Sequence, residues 1–134
     1  MAADGLTTLK SSFGPADTMD RLERAVTERG MTVFAHVDHA AGATAVGLSL
    51  RPTDLLIFGN AKGGTPLMQS AQTIGIVLPL KALVWQDASG VTWLSYNDPH
   101  FLAQRHGLDD ATKATVEALS GALKAISNKA TTAP

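Results

Sequence analysis

Apolar residues recur along this chain at two spacings, one typical of helices and the other typical of strands. A stripe at every third or fourth position predicts a helix that begins at Pro15 and ends before Gly30. A second stripe over residues 116–126 predicts a long last helix, with Asp109 as its cap. Two further helices are predicted where a capping residue precedes a proline, at Thr65-Pro66 and at Asp98-Pro99.

Short apolar runs bounded by glycine, proline or polar residues predict the extended segments. Pro79 favours an edge or a bulge in the run that contains it, because proline cannot donate a hydrogen bond to a neighbouring strand. The glycine-containing residues 87–90 predict a hairpin loop. An alanine- and glycine-rich stretch, residues 40–48, predicts a short helix or structured loop that Asp38 can cap. The extended segments are residues 5–11, 31–37, 54–60, 76–80, 82–86 and 91–96.

This order of elements predicts an α+β fold with a largely antiparallel sheet and helices packed on one face. Residues 1–128 are expected to form a single domain, and residues 129–134 a flexible tail, because the last residues are small and polar. Strict alternation in the second strand places Val33, Ala35 and Val37 on one face, and Phe34 and His36 on the other.

Composition narrows the possible functions. The 134 residues carry a net charge of −1 and no cysteine, so the sequence excludes disulfides, thiolate metal sites and cysteine nucleophiles. No basic run is present, which argues against a nucleic-acid partner. No apolar run has the length of a membrane span and no signal peptide is visible, so we expect a cytoplasmic protein without a membrane partner.

Four motifs, in order, resemble the domain-of-unknown-function family 302. They are GMTVFAHVDHAAGA at 30–43, LLIFGNAKGGTPLM at 55–68, LPLKALVWQD at 78–87 and WLSYNDP at 93–99. The one small departure is Ala61, where the family often has proline. The resemblance spans roughly residues 5–126 and implies a TATA-box-binding-protein-like fold, a curved antiparallel sheet with two main helices on one face. It also implies homodimers but assigns no activity.

The densest cluster of candidate chemistry is His36-Val37-Asp38-His39. Imidazole nitrogens bind zinc, copper, nickel and haem iron, so His36 and His39 are candidate metal or haem ligands. The alternative is one hydrogen-bonded histidine followed by a helix cap, because a third ligand at diagnostic spacing is missing. His100 and His106 are six residues apart, which does not place them on one helix face.

Aromatic residues suggest a ligand site. If helices cover the Val33 face, the opposite face could gather apolar rings around His36 and hold haem, or another flat apolar ligand, near a dimer interface. That these residues of different strands lie on the same face of the sheet is a conjecture, because alternation fixes which residues share a face only within one strand. The candidate ring-bearing residues are Phe34, Phe58, Trp85 and Trp93.

Two other possibilities remain. Residues 60–66, with two glycines and Lys62, could approach an anion, although the spacing is not that of a P-loop and an ordinary capped turn also explains them. No serine has the context of a catalytic nucleophile. The favoured function is a small dimeric ligand-binding protein. The alternatives are a metal-free structural dimer and a metal-dependent enzyme that uses His36 and His39; catalytic residues are unassigned.

Overall fold

A computed structural model describes residues 3–134, which form a five-stranded sheet with helices around it. The strands are β1 (Leu6–Lys10), β2 (Thr32–Asp38), β3 (Thr53–Gly59), β4 (Leu80–Gln86) and β5 (Thr92–Asn97). The α-helices are α1 (Pro15–Glu28), α2 (His39–Ala45), α3 (Ala61–Ser70), α4 (Pro99–His106) and α5 (Lys113–Thr131). Short 3-10 helices occupy Gln72–Val77 and Asp110–Thr112.

The sheet has the strand order β1-β5-β4-β3-β2, and every neighbouring pair is antiparallel. Strands β1 and β2 therefore form its two edges. The predicted hairpin joins β4 to β5, with Trp85 opposite Trp93. The predicted α+β class, with a mainly antiparallel sheet, is confirmed.

Helices α1 and α5 pack on the same face of the sheet, and this packing forms the main core. Fully buried side chains alternate along the strands, and those on the helix side include Leu56 and Phe58 of β3 and Leu94 of β5. The opposite face, called here the outer face, is only partly buried. Leu55, Leu83 and Ser95 lie side by side on this face, and Trp85 lies opposite Trp93.

A β-bulge at Phe34 changes which side chains of β2 share a face. Val33 pairs with Phe58 and His36 with Leu56, and both partners are core residues on the helix side. Ala35 falls on the outer side instead. The prediction that Val33 and Ala35 share one face and His36 the other was therefore wrong, because one extra residue reverses the alternation beyond it.

Several predicted helix ends are confirmed by their hydrogen bonds. The Asp38 carboxylate accepts from the Ala41 amide at 2.8 Å, and the Asp98 carboxylate accepts from the His100 amide at 3.0 Å. Gly107 ends α4 with a φ of +66°, a left-handed conformation that favours glycine. These caps position the short helices that follow β2 and β5.

Two predicted boundaries around α3 were wrong. This helix begins at Ala61, four residues before Thr65, because the Asn60 side chain accepts from the Gly63 amide at 2.8 Å and caps it earlier. Pro66 consequently lies inside the helix. In the predicted extended run at 76–80, Ile76 and Val77 end the 3-10 helix Gln72–Val77, and β4 begins only at Leu80, after Pro79.

The last helix also differs from its prediction at both ends. Asp109 makes no side-chain capping bond, and the short 3-10 turn Asp110–Thr112 leads into α5 instead. At the other end α5 continues to Thr131, into the predicted tail 129–134. Ala130 and Thr131 are buried, so packing against the core extends the helix beyond what the polar sequence suggests.

The β4–β5 hairpin loop is organised by one carboxylate. Asp87 accepts from the Trp93 indole at 2.8 Å and from the amides of Ser89 and Val91. These hydrogen bonds, the indole bond foremost, lower the pKa of Asp87. The loop thereby fixes the orientation of Trp93 on the outer face.

Candidate functional site

His36 lies between two carboxylates at the helix-facing edge of β2. Its Nε2 is 3.0 Å from an Asp54 oxygen, and its Nδ1 is 3.5 Å from a Glu23 oxygen. Asp54 comes from β3 and Glu23 from α1, so the ring links an edge strand to its neighbouring strand and to the helix above. The contact with Asp54 is a hydrogen bond, which supports the alternative of a hydrogen-bonded structural histidine.

The other three histidines lie apart from this position. His39 is the first residue of α2 and is exposed. His100 approaches Glu117 at 3.7 Å, and His106 Nδ1 is 3.1 Å from the Thr73 hydroxyl. Within residues 3–134, no group of three or more histidine, aspartate or glutamate side chains is placed to hold a metal ion. Metal or haem binding through His36 or His39 stays a prediction.

The four predicted ring-bearing residues do not meet in one pocket. Phe58 is fully buried in the core beneath the helices. Trp85 and Trp93 lie on the outer face, with ring centroids 6.2 Å apart and planes inclined by 27°. Phe34, at the bulge, is 57% exposed. The conjectured common face was wrong, because β3 directs Phe58 to the helix side while β4 and β5 direct the tryptophans outward.

An apolar cavity of about 250 Å³ opens beside Phe34 instead. It lies where the ends of β2 and β3 meet α3, the 3-10 helix and the middle of α5. Asn60 and Thr65 are the polar side chains among its lining residues. The apolar side chains are Met31, Phe34, Ala61, Met68, Leu78, Pro79, Leu80 and Leu119.

Glycines keep this cavity open. A Cβ atom at Gly64 would point at Leu78 and Met68 at ordinary contact distances of 3.6 and 3.8 Å. A Cβ at Gly75 would come within 3.2 Å of the Met68 sulfur, closer than most such contacts. Of the site residues predicted from histidines and aromatic rings, only Phe34 lines this cavity. The glycine-rich stretch around Gly64 was the signal that could have indicated it.

Residues 60–66 form a capped helix start, which was one of the two alternatives for this segment, and not an anion-binding loop. Gly63 and Gly64 are helical, and the Asn60 side chain already occupies the Gly63 amide. Lys62 is exposed at the start of α3. Gly64 borders the apolar cavity, and a Cβ atom at Gly63 would come within 3.2 Å of the Leu119 side chain.

A second unusual feature is the arm, defined as residues 32–52, which comprises β2, α2 and the segment that leads to β3. Helix α2 contains no buried residue, and every residue of β2 except Val33 is exposed. Apolar side chains are nevertheless frequent on the arm. Val46 is 73% exposed, Leu48 66% and Leu50 49%.

The surface area of the whole chain is also large. It exposes 7638 Å². A folded monomer of 14.0 kDa is expected to expose about 6,700 Å², so the excess is about 900 Å². This excess is similar to the area, about 800 Å², that one partner buries in a standard protein interface.

Comparison with known proteins identifies relatives of the chain. A family model described as "Domain of unknown function DUF302" matches residues 7–126. The crystal structure of an uncharacterised conserved DUF302 protein from Bacillus stearothermophilus matches with a TM-score of 0.84 and 23% identity, over 96% of this chain and 99% of that one. This likeness supports the fold.

Longer curated relatives also match. A protein from Brucella suis biovar 1, named "Fluoride-specific ion channel FluC 1", is 48% identical over 115 residues, which are 86% of this chain and 45% of that protein. Its namesake from Brucella abortus biovar 1 is equally identical, over 43% of its length. The chain thus spans less than half the length of these relatives. No helix among residues 3–134 is long and apolar enough to cross a membrane.

Proposed function

The chain belongs to the DUF302 family, and from that premise we propose that it is a small dimeric ligand-binding protein. The observation that carries the proposal is the apolar cavity beside Phe34. Ligand sites are typically concave and mainly apolar, with a few polar groups that fix orientation. The cavity has this character, because Asn60 and Thr65 are the only two side chains in its lining that can hydrogen-bond strongly.

The ligand is expected to be small and mainly apolar. A volume of about 250 Å³ lies just below the range that is typical of binding pockets, roughly 300–1,000 Å³. The lining includes Met31 and Met68, whose flexible thioethers adapt to different shapes and contact aromatic rings favourably. His36 and His39 are not among the lining residues, so this ligand does not require an axial histidine.

The second part of the proposal is that a second copy covers the arm. A helix of seven residues is not stable in water by itself, and most helical stability comes from packing of an apolar face. Helix α2 buries no residue within one chain. Val46, at its C-terminal cap, and Leu48 and Leu50, which follow it, are apolar and exposed. Packing against another arm supplies the missing burial, and the excess surface of about 900 Å² is sufficient for such an interface.

Phe34 connects the two parts of the proposal. Its ring lines the cavity, and it belongs to the arm with 57% of its surface exposed. A partner arm packed against β2 would therefore cover the outside of a cavity wall. Ligand binding and dimer formation are expected to strengthen each other for this reason.

Filling the cavity tests the ligand site. Gly64→Leu should place a side chain between Leu78 and Met68, raise the free energy of unfolding by about 1–2 kcal/mol and abolish binding of a small apolar probe such as indole. The measurement is the melting temperature with and without indole. Gly121→Leu is the matched control, because Gly121 is exposed in α5 with open space around it. Equal indole binding by Gly64→Leu and the control would contradict the proposed site.

A charge on the arm tests the dimer. Leu48→Glu should weaken dimerisation by at least about a hundredfold, because the interface would have to bury an unpaired carboxylate. Sedimentation equilibrium over a range of protein concentrations measures this change. Ile76→Glu provides the control, because Ile76 is 79% exposed but lies outside the arm. A wild-type chain that stays monomeric at all concentrations would refute this part of the proposal.

A second candidate function is an accessory module of a fluoride channel. The observation that favours it is the 48% identity to part of proteins named as fluoride-specific channels. A domain joined to another protein in one organism can act as its separate partner elsewhere. Under this candidate, the chain binds the remainder of such a protein, with the exposed arm as the contact surface.

Co-purification distinguishes this candidate from a free-standing ligand-binding dimer. The Brucella suis relative would be expressed without its matched 115 residues, together with this chain carrying an affinity tag. The candidate predicts that the truncated relative is retained on the resin, while an unrelated membrane protein of similar size is not. Equal retention of both proteins, or of neither, would exclude it.

A further inference from the structure

The outer face contains a groove that is separate from the cavity beside Phe34. The groove has a volume of about 310 Å³ and runs across β1, β5, β4 and β3. Leu55 lies opposite Leu83 in register, and Leu83 lies opposite Ser95, so neighbouring strands build one continuous floor. Its apolar side chains are Leu6, Leu55, Leu83 and Trp85, and Lys81 lies among them. The remaining lining residues are Ser95, Tyr96 and Asn97.

Lys81 is an isolated cation in this groove. Its Nζ donates to the Pro79 carbonyl oxygen at 3.1 Å, and an ammonium group has three protons to donate. None of the ion pairs formed within residues 3–134 includes Lys81. Burial lowers the pKa of Lys81, which is the expected effect of removing an ammonium from water without supplying a counter-ion.

Trp85, which lies on the same face of β4 as Lys81, is oriented by hydrogen bonding of its indole N–H group. The Trp85 indole donates to the Ser95 hydroxyl at 3.0 Å, and that hydroxyl is 2.8 Å from the Thr8 hydroxyl. Trp85 also stacks on Trp93, which the Asp87 carboxylate orients. The indole N–H groups are thus satisfied within the chain, and a ligand in the groove meets apolar ring surface.

We propose that this groove binds an anionic amphiphile, namely a monocarboxylate with an apolar tail, whose carboxylate pairs with Lys81 while its tail lies along Leu55, Leu83 and Trp85. Charge complementarity carries the assignment. The groove offers one cation and a mainly apolar floor, in which Ser95 and Asn97 are neutral polar residues. A carboxylate supplies the counter-ion that residues 3–134 do not. A neutral ligand of the same length would gain the apolar contacts but leave the ammonium unpaired.

Octanoate and octanol are matched probes for this proposal, because they share an apolar tail and differ in the charge of the head group. Trp85 and Trp93 are the two tryptophans of the chain, so intrinsic fluorescence reports binding at the groove directly. The wild-type protein should bind octanoate about ten- to a hundredfold more tightly than octanol.

Substitutions at Lys81 then separate the contribution of its charge to octanoate affinity from the contribution of apolar contacts. Lys81→Met should remove the preference for octanoate while leaving octanol binding within about twofold, and Lys81→Arg should retain the preference. Lys124→Met is the matched control, because Lys124 is an exposed lysine of α5, on the other side of the sheet. A thermal melt of each variant confirms that it is folded.

The outcomes distinguish the proposal clearly from its alternatives. A preference for octanoate that disappears in Lys81→Met but not in Lys124→Met supports it. Equal affinity for octanoate and octanol, no binding of either probe, or a preference that survives in Lys81→Met would overturn it. Gly64→Leu should leave octanoate binding unchanged, so failure of this groove is distinguishable from failure of the cavity.

Discussion

The sheet has two faces, and the two long helices α1 and α5 cover one of them. Burial of Leu56, Phe58 and Leu94 against these helices supplies the main core, and most other features follow from which side of the sheet they occupy. Side chains on the outer face are not covered by these helices and are held by contacts with one another. The tryptophans stack on each other and bind Ser95 and Asp87, while Lys81 remains without a carboxylate partner in the described part of the chain.

The cavity and the arm form a second region, at the β2 edge of the sheet. The bulge at Phe34 is central to it, because the extra residue lets Phe34 line the cavity while His36 turns toward Asp54 and Glu23. Edge strands offer unpaired backbone groups and usually need protection. An arm with exposed leucines and a helix without buried residues is consistent with protection by a second copy.

Much of the fold could be predicted from sequence, because it depends on local signals. The cap at Asp38, the glycine end at Gly107 and the hairpin after β4 are each encoded within a few residues. The candidate site was harder to predict from the sequence, because it depends on contacts between distant residues. One bulge reversed the faces of β2, and register between strands decided that Phe58 is core and Trp85 is not. The cavity is lined mainly by apolar side chains together with Gly59, Gly64 and Gly75, and none of these carries a reactive group that a sequence motif would mark.

Amide hydrogen exchange of α2 is the most direct test of the proposal that a second copy covers the arm. A seven-residue helix without packing should exchange almost as fast as an unfolded chain. If a second copy covers the arm, amides within residues 41–45 will become protected as protein concentration rises, with the same midpoint as dimer formation. Rapid exchange of these amides at every concentration, alongside a protected core in β3 and β4, would contradict it.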